Sequence, residues 1–228
     1  MLAAATLMLS SCRNFDRFLV LEHTYTVTMQ QGSDGYTGTT DAHLTEWAPD
    51  NNTGGNPFFE VCRVPQNNQN DDKYGLVRFD ISSIPQDAEI VSAQLQLYFM
   101  DVRNGSSVKI VQCHRVTAFW DEGNEVGLDG LVGPGVTWNM RPAYDSTILS
   151  TITIGAITLD FHGFDITEAV RMWMDGSAEN YGVLLKPEMA DNYPQNAPGS
   201  KQFASSEHTT LSMRPRLTIT YREYEYVE

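Results

Sequence analysis

Basic residues are scarce in this chain. Fifteen Lys and Arg stand against 29 Asp and Glu, a formal charge of −14. Binding to nucleic acid depends on basic side chains that release counterions from phosphate, so nucleic acid is excluded as a partner. The same deficit argues against an anionic polysaccharide unless a bridging cation or a local basic patch intervenes. Cysteine is rarer still, with three in 228 residues. No CxxC or mixed Cys/His spacing occurs, which argues against structural zinc. His23, His43, His114, His162 and His208 are isolated, and GxSxG, HExxH and P-loop motifs are missing. An enzyme is therefore not expected, although two carboxylates brought together by folding could still serve a glycosidase.

What is present points to strands. The stretch Leu76–Phe99 organises the rest: a short apolar run, a turn preset by Pro85 with Gln86 and Asp87, then a clean alternation. Ala93, Leu95, Leu97 and Phe99 point one way, Gln94, Gln96 and Tyr98 the other. A period of two over nine residues describes a strand with one face on a core. Such a face needs a second layer, and a β-sandwich supplies it. Aromatics at 11% and hydrophobics at 41% suit one globular domain of this length. Further strands are predicted at Tyr25–Met29, Thr39–Thr45, Phe59–Val61, Val108–Ala118, Ile148–Leu159, Tyr181–Lys186 and Arg216–Tyr221. Loops are predicted at Trp47–Pro57, Pro65–Lys73 and Pro187–Gly199. One short helix is expected after Asp165 and Thr167, with Ile166, Val170 and Trp173 on one face and Gly176 as its stop.

The apolar run Leu2–Leu9 leads into Leu9-Ser10-Ser11-Cys12, which resembles a bacterial lipoprotein lipobox with Cys12 as the lipidated residue. No Lys or Arg precedes the run, and an ordinary export signal is the other reading. It is too short to span a bilayer. The expected organisation is a signal and lipobox over residues 1–12, a tether over 13–23, one β-sandwich domain over 24–222 and an acidic tail over 223–228. Cys62 and Cys113 are then either buried free thiols or an exported protein's disulfide.

Nine segments in register resemble one family. They are GYTGTTDAHL (Gly35–Leu44), LVRFDISSIP (Leu76–Pro85), SAQLQLYF (Ser92–Phe99), RVTAFWDEG (Arg115–Gly123) and VTWN (Val136–Asn139). FDITEAVRMWMDG (Phe164–Gly176), NYGVLLK (Asn180–Lys186), FASSE (Phe203–Glu207) and RPRLTITY (Arg214–Tyr221) follow. The chain resembles the DNRLRE domain, also described as carbohydrate-binding module family 96, related to a methanogen disaggregatase. The resemblance implies an all-β fold: a jelly-roll-type antiparallel β-sandwich with one short helix, exported, with carbohydrate binding as its role. Function is inherited more loosely than fold.

Trp120, Trp138 and Trp173 lie inside these motifs and read as core, with platforms for a sugar face as the other reading. Trp47 lies outside them, in a polar loop where an aromatic needs a reason. Together with Tyr36, Tyr193 and Asn52 it forms the expected ligand set. Phe58 and Tyr144 flank loops as well, and Asp50, Asn51, Asn192 and Gln195 offer polar partners. Asp41, Asp34 and Asp160 are the candidates for a structural calcium. Glu207 is expected to form a buried ion pair with Arg78 instead. The expected partner is a polysaccharide or cell-surface glycan, with the membrane reached only through a lipid anchor at the cell surface. A structural or adhesive protein, self-associating through the strand TYTVTM, is the alternative.

Overall fold

The computed structural model describes residues 4–8, 19–66, 69–103, 109–127, 129–155, 159–188 and 200–227. In chain order its strands are β1 (Ala4–Met8), β2 (Leu19–Gln30), β3 (Thr39–Thr45), β4 (Asn51–Asn52), β5 (Phe58–Gln66), β6 (Gln69–Phe79) and β7 (Glu89–Arg103). Then come β8 (Lys109–Val116), β9 (Leu131–Val132), β10 (Tyr144–Ile154), β11 (Phe161–Asp165), helix α1 (Thr167–Met174), β12 (Val183–Pro187), β13 (Ser200–Ala204) and β14 (Arg216–Val227).

Two antiparallel layers result. The first runs β1-β2-β14-β7, with β11 also on β7. The second runs β13-β5-β6-β12-β8-β10, with β3 also on β6. Strand β7 serves both layers: its residues from Glu89 to Gln96 pair β14, and those from Phe99 to Arg103 pair β13. The expected all-β antiparallel sandwich is what the chain adopts.

The alternation in β7 places Ala93, Leu95, Leu97 and Phe99 inside, each at most 1% exposed. Leu217 and Ile219 of β14 face Leu95 and Ala93, and Met29 and Val27 continue the row. From the second layer come Phe59, Val77, Phe79, Val111, Cys113, Val183, Leu185 and Phe203. Complete burial of each such side chain is worth about 1.5–3 kcal/mol. Helix α1 closes one margin with Ile166, Val170 and Met174. Its start is set by Asp165, whose Oδ1 accepts from both the N–H and the hydroxyl of Thr167, and Gly176 ends it at φ +75°. Trp173 packs against the same core, half-buried.

The second layer is buried on its outer face too. Ala42, Leu44, Tyr74, Leu76, Val116 and Leu184 form a second cluster, covered by Trp120 and Val136 of the connection between β8 and β10. That explains why β12 reads as an unbroken Val-Leu-Leu run rather than an alternation. Trp120 is 3% exposed and donates from Nε1 to the carbonyl of Tyr181 at 2.8 Å, as a core indole should.

Three features depart from the sequence pattern. The charged end Arg222–Val227 is paired, reaching Leu19, so β2 and β14 run together for twelve residues. Cross-strand pairs stabilise it despite its charge, among them Arg222 with Glu22 at 3.1 Å and stacked Tyr25 and Tyr221. The polar Pro65–Lys73 stretch forms the turn-side half of the β5–β6 hairpin rather than an open loop. The TYTVTM strand pairs β14 along its whole length, while β1 meets its other edge only at Thr24.

A candidate carbohydrate-binding site

The loop after β3 is built on Asn52. Its Nδ2 donates to the carbonyls of Glu122 and Val136, and its Oδ1 accepts from the N–H groups of Gly54 and Glu125. Strand β4 pairs with β9 through Asn51 and Val132, and Asn51 Nδ2 donates to the carbonyls of Asp129 and Gly130. Backbone packing here is so close that a Cβ on Gly130 would lie 1.9 Å from the Asn52 carbonyl oxygen. Asn52 is 0% exposed, so its amide serves the loop and does not reach solvent.

This bracing leaves Trp47 standing out at 53% exposure. Further along the same loop, the N–H of Asn139 donates to the carbonyl of Pro49 at 2.9 Å, and Asn139 Nδ2 donates to Asp50 Oδ1 at 2.8 Å. Leu131, Val132 and Met140 add exposed apolar surface on the same pair of loops. An indole with an amide and a carboxylate alongside suits a sugar ring, whose C–H face stacks while its hydroxyls bond. The loop geometry holds these groups before any ligand arrives.

The other residues singled out from sequence fall elsewhere. Tyr36 packs half-buried on Phe79, with its hydroxyl donating to the Asp80 carbonyl; burial pushes its pKa up to about 12. Phe58 stacks on buried His43. Tyr193, Asn192, Gln195 and Cys12 lie outside the described residues. Tyr144 lies on the outer face of the second layer, against the second cluster. Cys62 and Cys113 are buried free thiols rather than a disulfide, and burial pushes the Cys113 thiol well up.

A group that sequence reading only half found is the carboxylate cluster Asp41, Glu122 and Glu207, with one oxygen from each within 4.8 Å of the others. They come from β3, from the segment after β8 and from the turn after β13. Asp41 is 1% exposed, and Ser206 N–H donates to its Oδ2 at 2.8 Å. Glu122 Oε1 accepts from the Asp41 N–H. Burial raises all three, with mutual repulsion adding to it for Asp41 and Glu122; Glu122 reaches about 7. Three carboxylates on three segments offer oxygens of the kind that a hard cation takes. Asp34, at φ +50° in the turn after β2, and Asp160, capping the Phe161 N–H beside β7, do not join it. Nor does Arg78 pair with Glu207. Its guanidinium lies over the rings of Trp120 and Phe119, at 5.3 and 5.7 Å, where cation–π attraction holds it. The acids of this cluster each sit in a recognised segment (TGTTDAHL, FWDEG, FASSE), which was the available signal.

A search of curated proteins gave no match to the chain. A comparison with protein families matched residues 33–221 to carbohydrate-binding module family 96. The match runs from the turn after β2 through the first half of β14, and with it the chain belongs to carbohydrate-binding module family 96.

Proposed function

We propose that this protein is a non-catalytic, exported module, lipid-anchored through Cys12 once residues 1–11 and with them β1 are cleaved off, that holds a polysaccharide or cell-surface glycan against Trp47. Family membership supports carbohydrate as the ligand class. The observation that carries the site is the exposed indole of Trp47 on the loop that also carries Asp50 and is fixed by Asn52. Trp47 stacks on a sugar face, and Asp50 and Asn139 take its hydroxyls. A calcium ion at Asp41, Glu122 and Glu207 would be structural: it would tie the segment after β8, and with it the loop pair, to β3 and the turn after β13.

The test is Trp47→Ala on a glycan array. Lost binding at an unchanged melting temperature supports the site, while undiminished binding removes Trp47 from it. Metabolic labelling with a fatty acid, compared between the protein and Cys12→Ser, tests the anchor.

A further inference from the structure

We propose that the glycan site continues past Trp47 along the outer face of the second layer, where Arg141 and Lys186 bind the oxygens of further sugar units. This rests on the polysaccharide reading and extends it. The strip begins where the first site ends: Trp138 and Arg141 flank Asn139, which is bonded to Pro49 and Asp50 of the Trp47 loop.

Cations and rings alternate along it. The Arg141 guanidinium lies 4.9 Å from the centroid of Trp138. Trp138 meets Tyr74 at 5.0 Å, with their planes at 53°. Lys186 Nζ lies 5.9 Å from the Tyr74 centroid and 5.8 Å from that of Tyr144. The negative ring faces attract the two cations and narrow their range of positions. Rings therefore set the donors here, and the donors face the ligand.

Neither cation has an acidic partner among the described residues. Arg141 gives one hydrogen bond, to the carbonyl of Trp138, and keeps the rest of its five donors. Several cations elsewhere meet carboxylates, as Lys73 with Glu60 and Asp129, or Arg115 with Asp145, while Arg78 and Arg216 lie over rings as these two do. Two unneutralised cations on one strip run against a composition of −14. They suit a ligand that brings acceptor oxygens of its own.

Beneath them, His114 is 3% exposed and meets Tyr144 edge-on at 5.4 Å. Its Nδ1 faces the carbonyls of Asp145 and Thr147, at 3.0 and 3.2 Å. Carbonyls only accept, so the proton sits on Nδ1 and Nε2 presents a lone pair. That Nε2 has no hydrogen-bond partner. A chain of pyranose units rich in acceptor oxygens, carried by hydroxyls or by carboxylates, meets what Arg141 and Lys186 offer.

The experiment is affinity electrophoresis of the full chain in native gels cast with neutral polysaccharides (β-glucan, mannan, xylan) or with a uronic-acid polysaccharide. Arg141→Ala, Lys186→Met, Lys186→Arg and Trp47→Ala are run beside the unaltered protein. In whichever gel retards that protein, Arg141→Ala and Lys186→Met should bind at least about tenfold more weakly. Lys186→Arg should recover most of the loss, and melting temperatures should not move. Retardation in the neutral or in the uronic gels identifies the oxygens as hydroxyl or carboxylate. If Lys186→Met also melts early, exposed Arg141 decides. Full binding by both cation variants, with Trp47→Ala impaired, would end the site at Trp47 and leave the polysaccharide reading intact. No retardation of the unaltered protein in any gel would overturn both.

Discussion

Lys73 and Glu60 form an ion pair at 2.8 Å in which the two side chains are only 5% and 2% exposed. Gln202 donates to the other Glu60 oxygen at 2.8 Å, and Asp129 takes Lys73 Nζ at 2.9 Å. Burial pushes the Glu60 carboxyl up, but the Lys73 ammonium more than offsets this and holds it below the usual range. Such a pair contributes little against an apolar replacement of both partners, and much against the loss of one. Lys73→Met should destabilise the fold by about 3–5 kcal/mol, and Lys73→Met with Glu60→Leu by much less. Urea unfolding of the two single variants and the double variant measures the coupling. Additive losses would contradict it.

Asn52 looks replaceable from sequence and is not. Its amide makes four hydrogen bonds that join the loop to the segment after β8. At about 1 kcal/mol per bond, with buried backbone groups left unmet, Asn52→Ala should cost about 3–4 kcal/mol. Asp50→Ala, at an exposed position, should cost less than about 0.5 kcal/mol. Differential scanning calorimetry should separate the two clearly, and equal melting temperatures would refute the hub.

The three clustered carboxylates fix the sign of a pH dependence. All three are raised in the folded protein, so the folded state binds protons that the unfolded chain has already released. Stability from this cluster is therefore greatest below the ordinary carboxylate value of 4.5 and falls as pH rises through about 7. Melting temperature in chelator should drop across that window. Millimolar calcium should restore it at pH 8 and do little at pH 4, since protons then hold the oxygens. A pH 8 melting curve indifferent to calcium would leave the cluster to protons alone. Asp41→Asn should flatten the whole profile.

Both thiols of the sandwich should be silent. Cys62 and Cys113 are buried, and burial keeps Cys113 protonated far above neutral pH. An aromatic disulfide reagent should label neither residue in the native protein and both after denaturation in guanidinium. Rapid native labelling of Cys113 would show that the core opens around it.

Much of the layering could be read directly, because a half-buried strand writes its own period. Leu95 and Leu97 lie inside as their spacing requires. The helix was equally plain, with its apolar spacing and its glycine stop. What escaped depends on segments far away in sequence. Asn52 sits among Asn, Gly and Pro and so resembles an open loop residue, but its partners are about 70 positions on. Charge in REYEYVE suggested a free tail, whereas Glu22 and Glu89 near Arg222 make its pairing tolerable. The Asp41 cluster draws on three distant stretches, and no local pattern encodes which acids will meet.

Pairing of β2 with β14 also bears on when the sheet can close. Thr26 bonds Thr220 and Thr28 bonds Thr218 across separations of 194 and 190 residues. Since β14 lies between β2 and β7, the first layer has a gap until β14 itself has been made. Contacts of that span make folding slow. A nascent chain would thus keep its first layer open, and close it only once β14 can lie between β2 and β7.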